Sequence, residues 1–302
     1  MSKVSSLRGQ LLKNISLAEY TSWKVGGPAD TIYFPEDIDD LTCFLKTVPL
    51  TTPIYWLGLG SNVLIRDGGL EGVVIITQGK LKQITFIDPL TVRVEAGVAC
   101  AKIARHTARL GLTGLEFMAG IPGTVGGALA MNAGCWGGET WQAIAHVDTI
   151  NRAGEVRRRA VQDYTVGYRS VNRTPDEWFI AGFFSLKEGD KDRSIEDIRI
   201  LLDKRSATQP TGLPNCGSVF RNPPGFYAAE LIEQCGLKGK RAGGAVVSDK
   251  HANFIINEGS ATAADLEWLI GHIQKTVFER RQVKLVTEVC VIGKVLGWRI
   301  QG

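Results

Sequence analysis

Much that would classify this chain quickly is missing from it. No apolar run approaches the ~18 residues that a membrane helix needs, so no span is expected. The N-terminal stretch MSKVSSLRGQLLKN has no apolar segment ahead of a cleavage site, so no secretory leader is expected. The six cysteines (Cys43, Cys100, Cys135, Cys216, Cys235, Cys290) form no C-x-x-C pair, and no histidine lies at metal-ligand spacing from them. Buried, reduced thiols in a cytoplasmic protein without a metal are expected instead. Basic blocks are short: Arg157 to Arg159 and Arg280-Arg281 read as solvated faces. A net charge of +4 suits small anions rather than nucleic acid. There is no G-x-S-x-G elbow for an acyl-transfer serine, no internal repeat and no low-complexity linker.

What the chain has in excess is glycine, concentrated in one stretch. Residues 111–138, GLTGLEFMAGIPGTVGGALAMNAGCWGG, hold nine glycines in 28 residues, against an ordinary share of about 7%. Glycine is needed where backbone takes positive φ or approaches something closely. From Gly120 through Ile121, Pro122, Gly123, Thr124 and Val125 to Gly126 and Gly127, the spacing would allow a row of exposed N–H groups to cradle an anion, a pyrophosphate above all. A turn packed for topology alone is the bland alternative. An earlier glycine turn, Gly58, Gly60, Ser61 and Asn62, follows the strand candidate Ile54 to Leu57. Val63 stands where a dinucleotide fingerprint needs its third glycine, and β-rich sequence follows rather than a helix, so a Rossmann reading fails. Ser61 and Asn62 remain side-chain donors for a phosphate, or members of a plain hairpin turn.

Along the chain, strands are expected at 31–34, 54–57, 73–77, 84–87, 91–95, 145–150, 155–160 and 178–186. Helices are expected at 38–45 and 101–110, the second closed by Gly111. From Arg193 helices dominate. Ser194 and Asp197 suggest a capping box for a helix to Lys204, Tyr227 to Cys235 is a second helix, and Thr262 with Asp265 opens a third. On the third, Leu266, Leu269, Ile270, Ile273 and Val277 share one face, as a core stripe does. A strand from Val283 to Ile292 closes the chain.

Three polar residues stand out. Arg169, just after a loop, could grip a carboxylate bidentately, or pair with Asp163 or Asp176 at the surface. Ser218, between Gly217 and Val219, could hand a proton to a developing carbanion, or cap its turn. Glu288 shares a strand face with Val286, Cys290 and Ile292. A carboxylate on such a face is paired, exposed at an edge, or functional.

Taken together, GLTGLEFMAGIPGTVGGALAMNAG, LGLGSNVLIRD, the Gly167-Tyr168-Arg169 step, CGSVFRNP and LVTEVCVIG resemble the UDP-N-acetylenolpyruvoylglucosamine reductase family, from about Thr21 to Gly293. The resemblance is to the shorter type, without a tyrosine-bearing loop after Arg169. It implies an α+β chain with a vanillyl-alcohol-oxidase-type FAD-binding fold in two lobes, residues 1–75 and 76–192, and a smaller α+β substrate domain, 193–302. The last ~20 residues would return to the first lobe. FAD would meet Gly58, Gly60, Ser61 and Asn62, the stretch from Gly120 through Ile121, Pro122, Gly123 and Thr124 to Gly126 and Gly127, and the nearby Lys24, Gly26 and Gly27. NADPH would donate hydride, and the enolpyruvyl ether of a UDP-sugar would receive it. The resemblance gives Arg169 and Glu288 the enolic carboxylate, Ser218 the proton, and Arg221 and Asn222 the sugar nucleotide. It implies a cytoplasmic monomer or weak oligomer with no membrane or nucleic-acid partner. An FAD oxidase of the same fold, and a non-catalytic nucleotide-binding module, are the competing readings.

Overall fold

The computed structural model describes residues 7–296. They fall into two compact units. The first takes the residues up to 12, 31–59 and 72–204; the second takes 13–30, 60–71 and 205 onward.

The first unit is built on a five-stranded antiparallel sheet, ordered Val156–Ala160, Ile144–Asn151, Glu177–Ser185, Thr91–Glu95, Ile84–Asp88. The central strand reads EWFIAGFFS and is buried at every residue but the last. Its side chains serve two cores, and a register shift opposite Asp148 and Thr149 interrupts the simple alternation between faces. Phe179 and Phe184 join Val92, Val94, Ile103, Leu129 and Val147 in one cluster; Ile180 joins Tyr33, Leu41, Phe44, Ile75 and Ile150 in the other. Helix Ile38–Leu45 opens on Asp37, whose carboxylate accepts the Asp40 N–H at 2.8 Å. Helix Cys100–Arg109 stops at Gly111, which has φ +72°, as its C′ glycine suggested.

Two expectations fail here. The helix after residue 190 runs Lys191–Thr208, and its first turn is held by Asp190, which accepts the Arg193 N–H at 2.7 Å. Ser194 does not cap it. That residue is buried, and its hydroxyl donates to Glu116 at 2.6 Å. The glycine stretch also contains a helix that its composition concealed, Val125–Met131.

The second unit packs helices Ala228–Gln234 and Ala263–Arg281 with a three-stranded antiparallel sheet, Arg241–Ala242, Ala245–Val247 and Ile255–Asn257. Thr262 and Asp265 form the expected capping box, and Leu266, Leu269, Ile270, Ile273 and Val277 are all buried. Asp67 adds a second cap to the same helix, accepting from Ala263 N at 3.0 Å and Ala264 N at 2.9 Å. Arg66 clamps Glu267 one turn on, with Nη2 2.7 Å from Oε1 and Nε 2.9 Å from Oε2. The polar residues Arg66 and Asp67 that follow the glycine turn therefore secure a helix.

The expected closing strand is shorter than its pattern. Only Cys290–Ile292 forms a strand, parallel to Val63–Ile65. Before it, Thr287 makes an isolated bridge with Phe220. Leu285 and Val289 are buried, so that face holds; Val286 and Cys290, on the face of Glu288, are exposed. Cys290 is thus an exception to the buried thiols expected. Cys100, Cys216 and Cys235 are buried, and burial pushes the thiols of Cys100 and Cys216 up to about 12. Among the described residues no helix is long and apolar enough to cross a membrane.

Candidate active site

In the first unit, the glycine stretch departs from the cradle expected of it. Gly123 N–H donates to Ile121 O at 3.0 Å, Val125 N–H to Val98 O at 2.9 Å and Gly126 N–H to Ala96 O at 2.9 Å. Gly127 N–H faces the Thr124 hydroxyl at 3.5 Å, where Thr124 is the N-cap of helix Val125–Met131. These donors serve the protein, not an open row. The glycines are required mainly by contact. A Cβ on Gly126 would lie 2.8 Å from Ala96 Cβ, one on Gly120 would lie 2.6 Å from Cys135 Sγ, and one on Gly58 would lie 2.3 Å from Thr124 Oγ1. The structure thus brings Gly58 onto Thr124. Gly127 differs: it is exposed, and a Cβ there would meet only Thr124 Oγ1, at 3.8 Å. With exposed Pro122, it leaves a surface free of side chains beside the capped turn, which fits the close approach of a flavin nucleotide.

Arg169 belongs to the same unit. Its backbone is left-handed, φ +51°, an unusual state for a long side chain. Its guanidinium donates to Gly134 O at 2.8 Å and Asn132 O at 3.4 Å, so it lies over the exit of the glycine stretch. Asn132 was not anticipated. It caps the helix in the αL conformation, is buried, donates to Glu139 at 2.9 Å and Gly167 O at 3.1 Å, and accepts the Trp141 N–H at 3.1 Å. Asparagine after a helical run is a C-cap signal that composition did not flag.

In the second unit, the Gly60 turn and the segment from Thr21 to Gly27 meet. Ser22 N–H donates to Gly60 O at 3.0 Å, and a Cβ on Gly60 would strike Tyr20 O at 2.2 Å. Lys24 is exposed at φ +59°, and Gly27 lies against Asp67, whose carbonyl oxygen would be 2.2 Å from a Cβ there. A strand, Val63–Ile65, follows the turn, as the failed fingerprint required. Asn62 donates its amide to the Glu288 carbonyl at 3.1 Å, and Cys290 N–H donates to Asn62 O at 3.1 Å. The turn thereby grips the segment carrying Glu288.

Ser218 reaches Glu288 through one ladder. Glu288 N–H donates to Val219 O at 2.8 Å, and Arg221 N–H donates to Val286 O at 2.9 Å. Ser218 is half-buried and its hydroxyl has no hydrogen bond among the described residues. It does not cap its turn: Asn215 Oδ1 takes the Gly217 N–H, at 2.9 Å. The other residues expected at the sugar nucleotide lie just beyond. Arg221 is half-buried; Asn222 is exposed, and its side-chain oxygen accepts the Ala228 N–H at 3.0 Å, at the start of helix Ala228–Gln234.

Sequence comparison sets these features in a lineage. Residues 29–159 match an FAD binding domain, and residues 209–292 match the C-terminal domain of UDP-N-acetylenolpyruvoylglucosamine reductase. The chain is 57% identical over 293 residues to that reductase from Legionella pneumophila (strain Corby), covering 97% of this chain and 95% of the relative. It is 51% identical over 286 residues to the one from Alkalilimnicola ehrlichii, covering 95% and 96%. The crystal structure of the Thermus caldophilus enzyme superposes with a TM-score of 0.79 at 32% identity, over 95% of this chain and 99% of that one. The fold is therefore the α+β FAD-binding fold expected, and the class is that of FAD-dependent oxidoreductases. Within that class the chain belongs to the UDP-N-acetylenolpyruvoylglucosamine reductase family.

Proposed function

We propose that the protein reduces the enolpyruvyl C=C bond of UDP-N-acetylenolpyruvoylglucosamine to give UDP-N-acetylmuramate, a peptidoglycan precursor, with NADPH as the source of hydride. FAD, when bound, would supply the hydride chemistry between NADPH and the methylene carbon of the ether. The residues assigned to hold it are Lys24, Gly26, Gly27, Gly58, Gly60, Ser61, Asn62, Gly120, Ile121, Pro122, Gly123, Thr124, Gly126 and Gly127. In this scheme residues 1–75 and 76–192 are the FAD lobes and 193–302 the substrate domain. The parallel pairing of Cys290–Ile292 with Val63–Ile65 supports a return of the chain end to the first lobe.

The chain's own chemistry concerns the second half of the addition. Hydride arriving at the methylene leaves an electron pair on the carbon bearing the carboxylate. Arg169 draws that charge onto the carboxylate oxygens, and Glu288 orients the same group. Ser218 gives its hydroxyl proton to the carbon, completing addition of hydride and proton. Arg221 and Asn222 hold the sugar nucleotide. One observation carries this reading: a half-buried Ser218 hydroxyl that the protein leaves without a hydrogen bond, held by the Val219–Glu288 ladder. Both partners of the reaction are cytoplasmic metabolites, and the protein is assigned to that compartment.

The test is anaerobic visible spectroscopy of the purified holoenzyme. Absorbance that bleaches with NADPH and returns on adding UDP-N-acetylenolpyruvoylglucosamine supports the proposal. Absorbance that returns only with air points to an oxidase, and a protein that cannot be reconstituted with FAD overturns the assignment.

A further inference from the structure

The loop bearing Ser218 is gripped on both edges, and the second grip is a side chain. Along one edge Val219 and Arg221 pair with the backbone of residues 286–289. Along the other lies Asn253, which is 3% exposed. Its backbone carbonyl accepts the Val219 N–H at 2.9 Å. Its carboxamide then mimics one rung of a strand. Oδ1 accepts the Phe220 N–H at 2.9 Å, and Nδ2 donates to Phe220 O at 2.8 Å. A single residue thus satisfies three backbone groups of Val219 and Phe220, one through its own carbonyl and two through its carboxamide, beside Ser218.

Asn253 is itself fixed. The Ser248 hydroxyl accepts the Lys250 and His251 N–H groups at 3.2 and 3.3 Å, His251 Nδ1 accepts the Asn253 N–H at 3.3 Å, and Phe254 N–H closes the turn on His251 O at 3.0 Å. The ring of His251 packs edge-on against Phe254, 4.7 Å between centroids. The clamp is therefore a rigid turn, not a mobile side chain.

Resting on the assignment of Ser218 as proton donor, we infer that Asn253 is the positioning residue for that hydroxyl. It holds the Val219–Phe220 backbone so that the adjoining serine keeps one place relative to the Glu288 segment. A proton donor needs such support, because an error of about 1 Å in placement costs on the order of a hundredfold in rate. The serine's neighbours 219 and 220 are the clamped positions, while residue 217 is a left-handed glycine, φ +70°, which would otherwise let the loop swing.

The test uses holoenzyme carrying Asn253→Asp, which keeps the size and the acceptor for Phe220 N–H but removes the donor to Phe220 O, and Asn253→Ala as the fuller deletion. Each half-reaction is followed anaerobically by stopped flow, with melting temperature alongside. Bleaching by NADPH should stay within about 2-fold of wild type, while the return of colour with substrate slows by roughly 10- to 100-fold. An equal loss in both half-reactions, or no loss in either, overturns the positioning role. Ser218→Ala separates the two ideas. A selective loss there, beside an unaffected Asn253→Asp, overturns the clamp alone. An unaffected Ser218→Ala overturns the proton-donor reading and this inference with it.

Discussion

Between Gly120 and Gly127, in the first unit, the backbone donors of Gly123, Val125 and Gly126 are taken up by the protein itself. Between Gly217 and Arg221, in the second, the N–H groups of Gly217, Val219, Phe220 and Arg221 are likewise engaged, yet the one hydroxyl there has no hydrogen bond among the described residues. The first stretch announces itself by composition and turns out to be mostly packing. The second has no compositional signal and carries the group best suited to chemistry. The difference follows from what each element must do. A surface that a large planar cofactor approaches needs the absence of side chains, which glycine provides wherever it stands. A proton donor needs one side chain exempted from internal hydrogen bonding and held on a fixed backbone.

The largest effect that would break this contrast is at the serine. Ser218→Ala should slow substrate reduction by roughly 10²- to 10⁴-fold, the usual reach of a general acid, and leave bleaching by NADPH intact. Comparable slowing of both steps in stopped flow would mean that the hydroxyl is structural.

Next come the glycines, which separate packing from ligand approach. Gly27→Ala drives a methyl into the Asp67 carbonyl, which is backbone and cannot step aside, and should lower unfolding free energy by about 3 kcal/mol. Gly127→Ala meets nothing closer than 3.8 Å, so the apoprotein should unfold within roughly 0.5 kcal/mol of wild type, while FAD is retained less tightly. Thermal melts of apoprotein and a flavin titration give both numbers. Unaltered FAD affinity in Gly127→Ala would remove the open surface from the site.

A smaller effect is expected at Glu177, in the first unit. Arg159 grips its buried carboxylate through Nε at 2.9 Å and Nη2 at 2.7 Å, and Thr149 adds a hydroxyl donor. The Arg159 hydrogen bonds, foremost, outweigh burial and hold this carboxyl below its ordinary value of 4.5. A depressed folded-state pKa means that the stabilisation is present above pH 4.5 and fades as pH falls through the folded value. Glu177→Gln should therefore cost about 2 kcal/mol at neutral pH, and urea melts of variant and wild type should converge on acidification. Divergence at low pH would contradict this sign. The smallest change is Thr262→Ala, which removes a cap of the second unit's long helix and should lower stability by about 1 kcal/mol; Asp67 still caps the same turn.

Where local pattern coincided with tertiary need, the sequence was easily read. Helix Ile38–Leu45 and strand Ile54–Leu57 lie where apolar spacing put them, and Thr262 with Asp265 starts its helix as their spacing indicated. Ser194 misled because a serine three residues ahead of an acid resembles a cap, whereas its hydroxyl is used in long-range contact with Glu116. Val125–Met131 was hidden because two glycines in its first turn argue against a helix, and tertiary contacts with Ala96 and Val98 override that preference. Asn132 and Asn253 escaped notice for a different reason. An asparagine's value lies in which backbone atoms surround it, and those come from residues 9 to 35 positions away.

The sequence by itself determined the class of protein, the compact α+β elements and the residue types at the chemistry, since these depend on spacing and side-chain identity along one chain. The tertiary structure alone decided which donors are already used, which glycines are needed by the protein itself, and what holds Ser218. Those depend on hydrogen bonds and contacts between segments far apart in sequence, where satisfaction of one group is fixed only when its distant partner arrives.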